Sequence, residues 1–421
     1  MKTYKNTLGI AGLVLIVFLP ISHFGQDTWE KHNGNPVFSG KGNKADHHCY
    51  FPSVLFENGT YKMWYTSADK AYSTTQIAFV KSSDGINWLP SETPFITNMK
   101  PATWNRYICS ARVIRICDTL KMWYTAYSEL SAPSIGYAWS VKENVWNFNP
   151  DPVLWHGEPG AFDDVYVFGP SIYHNGTTYH MWYSARSSDD KFNIGYATSE
   201  DGIHWHKSDA DNPVIKSVGS IGWYCHGVHY PSVVVYKGTY HMWFGGSGYD
   251  WEKRIGYATS ADGVNWLVGN GNAAVLDAGQ GDAWDNQQVH APCVILHKDR
   301  FEMWYAASNN LEGKWKIGYA FSDEFGEFET GDPQALKPSL SASPNPFSGN
   351  VLITYELPER EQVTLEVYSY NGQHMTRLDE GIRHSGTYYF HYQPAELPPG
   401  MYILVLSTPG KVIKHKMIKV R

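Results

Sequence analysis

The 421-residue chain repeats itself five times, and that repeat limits the folds open to it more than any other feature. The segments YKMWYTS, LKMWYTA, YHMWYSA, YHMWFGG and FEMWYAA place Met63, Met122, Met181, Met242 and Met303 at intervals of 59, 59, 61 and 61 residues. Upstream, Pro52, Ala111, Pro170, Pro231 and Pro292 keep the same four intervals. Downstream comes an I-G-Y-A segment or its variant, with Asp-Gly pairs at Asp84, Asp201 and Asp262 and a Trp at Trp88, Trp205 and Trp266. Two landmarks holding one spacing mark a structural unit.

Each unit reads as four short antiparallel strands. The second, Y-x-M-W-Y, is apolar almost throughout instead of alternating, so both its faces are expected to lie between neighbouring sheets. Asn58-Gly59 and Asn175-Gly176 predict tight hairpins of type I′, and the Asp-Gly aspartates read as turn formers. The fourth strand is expected at runs such as Asn212-Pro213-Val214-Ile215, where proline suits a sheet edge. Four-stranded sheets repeated radially are propeller blades, and 17 Trp, 29 Tyr and 18 Phe supply rings to pack between them. The fold class is therefore all-β: a five-bladed β-propeller over 29–335, followed by a small C-terminal β-sandwich. Trp29 through Phe38 resembles the end of a blade without its first three strands, and the fifth unit lacks such an end. The N-terminal segment is expected to complete the last blade.

Net charge excludes one partner: 34 Lys and Arg against 41 Asp and Glu give −7, too acidic for a phosphate backbone, so no nucleic acid is expected. Lys2 and Lys5 precede an apolar run from Leu8 to Ile21, which is short for a membrane span and reads as a signal peptide over 1–25. The five cysteines match no zinc or redox spacing and read mostly as buried thiols. Residues 336–346 form a Pro/Ser-rich linker. Residues 347–421 alternate as strands broken by Asn371-Gly372 and Pro398-Pro399-Gly400, the pattern of a sandwich. SPNPFSGNVLITYELP, LEVYSYNGQ, LPPGMYILVL and the basic KVIKHKMIKV closely resemble the C-terminal sorting domain of the type IX secretion system. That resemblance implies export through the periplasm, the outer-membrane secretion machinery as a partner, and a secreted or cell-surface location.

In a propeller the segments entering the first strands converge on the axis, and here they are unusually polar. Asp46, Asp163 and Asp164 are the candidate catalytic carboxylates, since glycoside cleavage needs an acid and a second group to activate water or attack carbon. Phe162-Asp163 parallels Trp284-Asp285, so Asp163 has a second reading as a repeated loop hydrogen-bonder. His48, Arg106, Tyr107, Tyr166, His226, His229 and His290 are candidate substrate contacts, with Trp223 and Tyr230 as further stacking rings. Arg106 reads equally as the partner of a substrate carboxylate or as the counter-ion of Asp46 or Asp164. No cofactor is expected; a divalent ion at the axial histidines, His47 included, is the alternative.

The repeat also resembles the five-bladed propeller glycosidases, the superfamily of arabinanases, β-xylosidases, invertases and mannoside-acting enzymes. The resemblance rests on G-x-Y-x-M-W-Y and I-G-Y-A-T-S-x-D-G-x-x-W. It implies an exported hydrolase of oligo- or polysaccharides, with a non-catalytic carbohydrate-binding or adhesive protein as the alternative. A phosphorylase is the weaker third reading, since no phosphate-binding cluster is evident. Where the arabinanase and invertase branches carry acids before the proline, this chain has Phe51, Ser110, Gly169, Tyr230 and Ala291.

Overall fold

A computed structural model of the chain describes residues 29–420, apart from short internal stretches of which the longest are 90–103 (Ile96 excepted) and 323–338. The expected signal peptide at 1–25 and part of the linker at 336–346 lie outside the described residues. The regular structure described is all β. Five blades stand in sequence, with first strands His48–Glu57, Tyr107–Ile116, Tyr166–His174, Gly227–Tyr236 and Gln288–His297. Each pairs antiparallel with its Met-Trp strand, which pairs in turn with the I-G-Y strand or its variant.

The N-terminal segment completes the fifth blade. Glu30–Lys31 pairs with Phe321 and Ala320, and Phe38 bridges Ile317. In every blade the fourth strand differs from the expected one. It lies at the Trp or just after it, as at Trp88–Leu89, Val145–Phe148 and His206–Lys207, and the Asn-Pro-Val-Ile run returns for one bridge, Ile194 to Ile215. Proline cannot donate to a ladder, and the Asn212 amide takes over instead: it accepts from Tyr196 N (2.7 Å) and donates to Tyr196 O (2.8 Å). Asn58-Gly59 forms the expected tight turn, with both residues at positive φ. Asn175-Gly176 does not; the Asn175 carboxamide caps the amides of Thr177 and Thr178 in a longer loop.

Neighbouring blades are locked by one repeated contact. The fully buried indole of Trp123 donates to Gly202 O in the next blade (2.8 Å), Trp182 to Gly263 O (2.7 Å), and Trp304 to Gly85 O (2.8 Å), the last joining blade five to blade one. The Asp-Gly turn is thus also an acceptor for the preceding blade. A Cβ on Gly202 would lie 2.8 Å from the Trp123 ring, which is why glycine follows the aspartate there.

Two further sheets, of three and four strands, form the C-terminal module. Alternate residues of each, such as Ile353 and Tyr355 on one and Val363, Leu365, Val367, Leu404 and Leu406 on the other, are buried together as a sandwich core.

Candidate functional site

All five first strands carry a bulge at the same place, and it points a residue toward the axis. The register slips between Tyr50 and Ser53, Cys109 and Arg112, Phe168 and Ser171, His229 and Ser232, and His290 and Cys293. The bulge residue is left-handed in every blade: Phe51, Ser110, Gly169, Tyr230 and Ala291 have φ between 48° and 57°. Four of these are not glycine, so the strain is held by the surroundings. Part of the holding comes from the preceding blade, whose Thr66, Thr125 and Ser184 hydroxyls accept the amides of Ser110, Gly169 and Tyr230. A bulge re-aims side chains, and here Phe51 and Tyr230 meet as a stacked pair with centroids 4.4 Å apart.

Below this layer Arg112 crosses the axis. Its equivalents in the other blades are Ser53, Ser171, Ser232 and Cys293, all fully buried. The guanidinium donates to Ser232 Oγ (3.1 Å), Ser171 Oγ (3.4 Å) and Cys293 Sγ (3.2 Å), three different blades. Arg112 therefore ties the first strands of four blades together across the axis.

Above the Phe51–Tyr230 pair, rings and imidazoles from several blades gather. Tyr230 lies 5.2 Å from Phe168 and 5.5 Å from His290; His290 lies 6.2 Å from His229 and 4.6 Å from Trp315. Trp315 also approaches Tyr50 at 6.4 Å and carries the Lys253 ammonium over its face at 5.7 Å. Burial pushes the His229 imidazole down to about 3 and His290 well below the ordinary value, so both are neutral near pH 7. Burial likewise lowers the Lys253 ammonium to about 8.

The sequence-predicted residues divide. His229 and His290 are in this throat, and His226 and Tyr166 adjoin it through Phe192, at 6.0 and 6.4 Å. His48 stacks on Tyr72 at 4.2 Å and accepts the Trp315 amide (3.3 Å). Arg106 pairs with Glu129 at 2.7 Å, on the second-to-third-strand turn of its own blade, instead of with Asp46 or Asp164. Tyr107 donates to the same carboxylate (2.8 Å), a bond that raises the phenol above its usual value.

Asp46 and Asp163 hold equivalent places and do equivalent things. Tyr65 donates to Asp46 (2.9 Å) and Tyr183 to Asp163 (3.2 Å), and Asp163 also takes Lys207 Nζ at 2.6 Å. Asp285 repeats the pattern with Lys31 at 2.7 Å. These tyrosines are the last letter of Met-Trp-Tyr, so the carboxylates tie each entry loop to its second strand. Asp164 is on the outside of that loop, where the Gly160 amide (2.8 Å) and Ser188 hold its carboxylate below the usual range. Trp223 belongs to the scaffold as well: its ring lies against Gly246 and Gly256, where a Cβ would come within 2.2 and 2.3 Å.

Trp315, Lys253, Tyr72 and Phe192 lie outside the first-strand entries that the sequence singles out. In antiparallel blades the turn joining strands two and three ends on the same side as the start of strand one, so its rings were discoverable from the repeat. Among the described residues no three His, Cys, Asp or Glu side chains converge as a metal-ligating set.

Comparison with known proteins places both parts of the chain. Residues 341–420 match the secretion system C-terminal sorting domain, and this domain directs export through type IX secretion to the cell surface or extracellular space. Solved structures similar to the chain include a glycoside hydrolase (TM-score 0.58, 16% identity, 68% of this chain and 90% of that one). Another, at TM-score 0.57 and 16% identity over 72% of this chain and 95% of its own, was described with the GH130 family of mannoside phosphorylases and its hydrolases targeting β-1,2 mannosidic linkages in Candida mannan. A β-1,2-mannobiose phosphorylase of Thermoanaerobacter is 31% identical over 37% of this chain and 54% of its own length. The uncharacterized proteins MT1551 and Rv1502 of Mycobacterium tuberculosis are each 31% identical over 50% of this chain and 69% of their own length. At 31% identity over 69% of the length of each, this chain belongs to the family of MT1551 and Rv1502, joined here to a sorting domain.

Proposed function

We propose that the propeller is an exported carbohydrate-active domain that takes an oligosaccharide into its axial mouth, with β-linked mannosides as the first ligand class. The observation that carries this reading is the throat: the rings of Phe51, Tyr230 and Trp315, each only partly buried, gather beside imidazoles that can bond hydroxyls. Recognition without cleavage fits this geometry best. The bulge layer aimed at the axis contains no carboxylate, and Asp46 and Asp163 are bonded into entry loops.

Cleavage by hydrolysis or phosphorolysis is the second reading. The names of the Thermoanaerobacter relative and of the structural neighbours favour it, and Asp164 is the predicted acid best placed for solvent access. The test titrates full-length protein with manno-oligosaccharides, and assays turnover with and without phosphate. Binding weakened about tenfold or more by Trp315→Ala is expected, the loss typical of a central aromatic anchor. No binding across the panel would sink the proposal. Turnover abolished by Asp164→Ala would replace it with the enzymatic reading.

A further inference from the structure

We infer that the throat formed by His229, His290 and Lys253 is a receptor for the carboxylate of an acidic sugar, the uronic-acid end of a glycan. The inference deepens the glycan reading above and rests on it. Its geometry is that of an incomplete polar cluster. His290 is 3% exposed, yet among the described residues neither Nδ1 nor Nε2 has a hydrogen-bond partner; Nδ1 of His229, at 5% exposure, has none among them either. A neutral imidazole must carry one N–H, and leaving it unmade inside a protein is costly. A ligand that accepts hydrogen bonds removes that cost.

The charge is equally incomplete. Lys253 Nζ stands over the Trp315 ring, whose other close neighbour is His290 at 4.6 Å. Among the described residues no side chain bonds this ammonium, and its neighbours Glu252 and Arg254 pair with each other at 2.6 Å. Burial, and after it the charge of Lys253, lowers both His229 and His290, so the ammonium acts on the two unpartnered rings. One ammonium beside two neutral donors complements a single negative charge. A uronate carries one, whereas inorganic phosphate near pH 7 is a mixture of singly and doubly charged ions. The sugar ring bearing the carboxylate then has Trp315, Phe51 and Tyr230 to stack on, which a free anion does not need.

The experiment titrates full-length protein with mannuronate, glucuronate and galacturonate oligosaccharides, with each one's carboxyl-reduced neutral counterpart, and with inorganic phosphate. At least one uronate is expected to bind about 10–100-fold more tightly than its reduced form, the range for a hydrogen bond to a charged group. Lys253→Met is expected to bring uronate binding down to the level of the reduced sugar measured on the same variant, and Lys253→Arg to restore part of the preference. His290→Phe, which keeps the ring volume, is expected to cut uronate binding as well. Equal affinity for charged and reduced forms overturns the carboxylate site and leaves the glycan reading standing. Binding of neither form to any variant overturns both. Phosphate binding that depends on Lys253, without a uronate preference, also overturns the inference.

Discussion

The indole contacts between blades predict an order among three identical substitutions. Trp64, Trp123 and Trp304 hold equivalent places on second strands and are all fully buried, so Trp→Phe removes the same atoms from each. What differs is the fate of the hydrogen bond. Trp304 donates to Gly85 O at 2.8 Å, and the indole of Trp88 beside it has no partner among the described residues, so Gly85 O depends on Trp304. Gly202 O accepts from Trp123 at 2.8 Å and also from Trp205 at 3.0 Å, so it keeps a donor after Trp123→Phe. Nε1 of Trp64 is buried with no partner among the described residues. Trp64→Phe therefore loses packing alone, Trp123→Phe adds about 1 kcal/mol for one bond, and Trp304→Phe adds about 1–3 kcal/mol by stranding a buried carbonyl. With a melting entropy of about 2.1 cal/mol/K per residue over roughly 300 residues, a 2 kcal/mol difference is about 3 °C in Tm. Thermal unfolding followed by near-ultraviolet circular dichroism is expected to rank the variants Trp64→Phe, Trp123→Phe, Trp304→Phe from most to least stable. Three equal melting points, or the reverse order, would refute the claim that these bonds hold the ring closed.

Other expectations come from the same contacts. Asp163→Asn breaks a largely buried pair with Lys207 and is expected to cost about 2–4 kcal/mol, whereas Asp164→Ala, at the surface, stays within about 1 kcal/mol; unfolding midpoints in urea decide. Unchanged stability in Asp163→Asn would return that residue to the list of functional candidates. Gly202→Ala is expected to lose more than Gly176→Ala: both have positive φ, but only at Gly202 does a Cβ meet the Trp123 ring. The buried imidazoles of His229 and His241, lowered by burial to about 3 and about 4, bind protons more readily in the unfolded chain. Their contribution is complete above about pH 6.5 and declines as pH falls toward those values, by about 1.4 kcal/mol per pH unit for each group. Urea midpoints from pH 7.5 to 4.5 are expected to fall accordingly, and a flat profile would contradict it. His241→Gln is expected to reduce the slope.

Much of the architecture follows from the order of residues alone. A 59- to 61-residue period carrying an unbroken apolar strand has one economical solution, sheets packed face to face around an axis, and a truncated unit at each end implies a closed ring. The sorting module was equally readable, through the resemblance carried by SPNPFSGNVLITYELP, LEVYSYNGQ, LPPGMYILVL and KVIKHKMIKV. Local chemistry also identified the Asp-Gly turns. It did not reveal that their carbonyls receive an indole from the preceding blade, since that acceptor lies about 80 residues away, or 219 for Trp304.

The site depended on three-dimensional placement. Nothing in the spelling of Arg112 distinguishes it from a surface arginine, yet one bulge turns it across the axis to three other blades. Asp46 and Asp163 look like catalytic acids in a list of polar residues before first strands; the tyrosine closing each Met-Trp-Tyr makes them loop anchors. Trp315 and Lys253 come from consecutive blades and become neighbours only when those blades pack. Periodicity in a sequence reports which faces must be buried. Which side chains meet at the centre depends on bulge geometry and on contacts between blades, and these belong to the assembled ring and not to any one repeat.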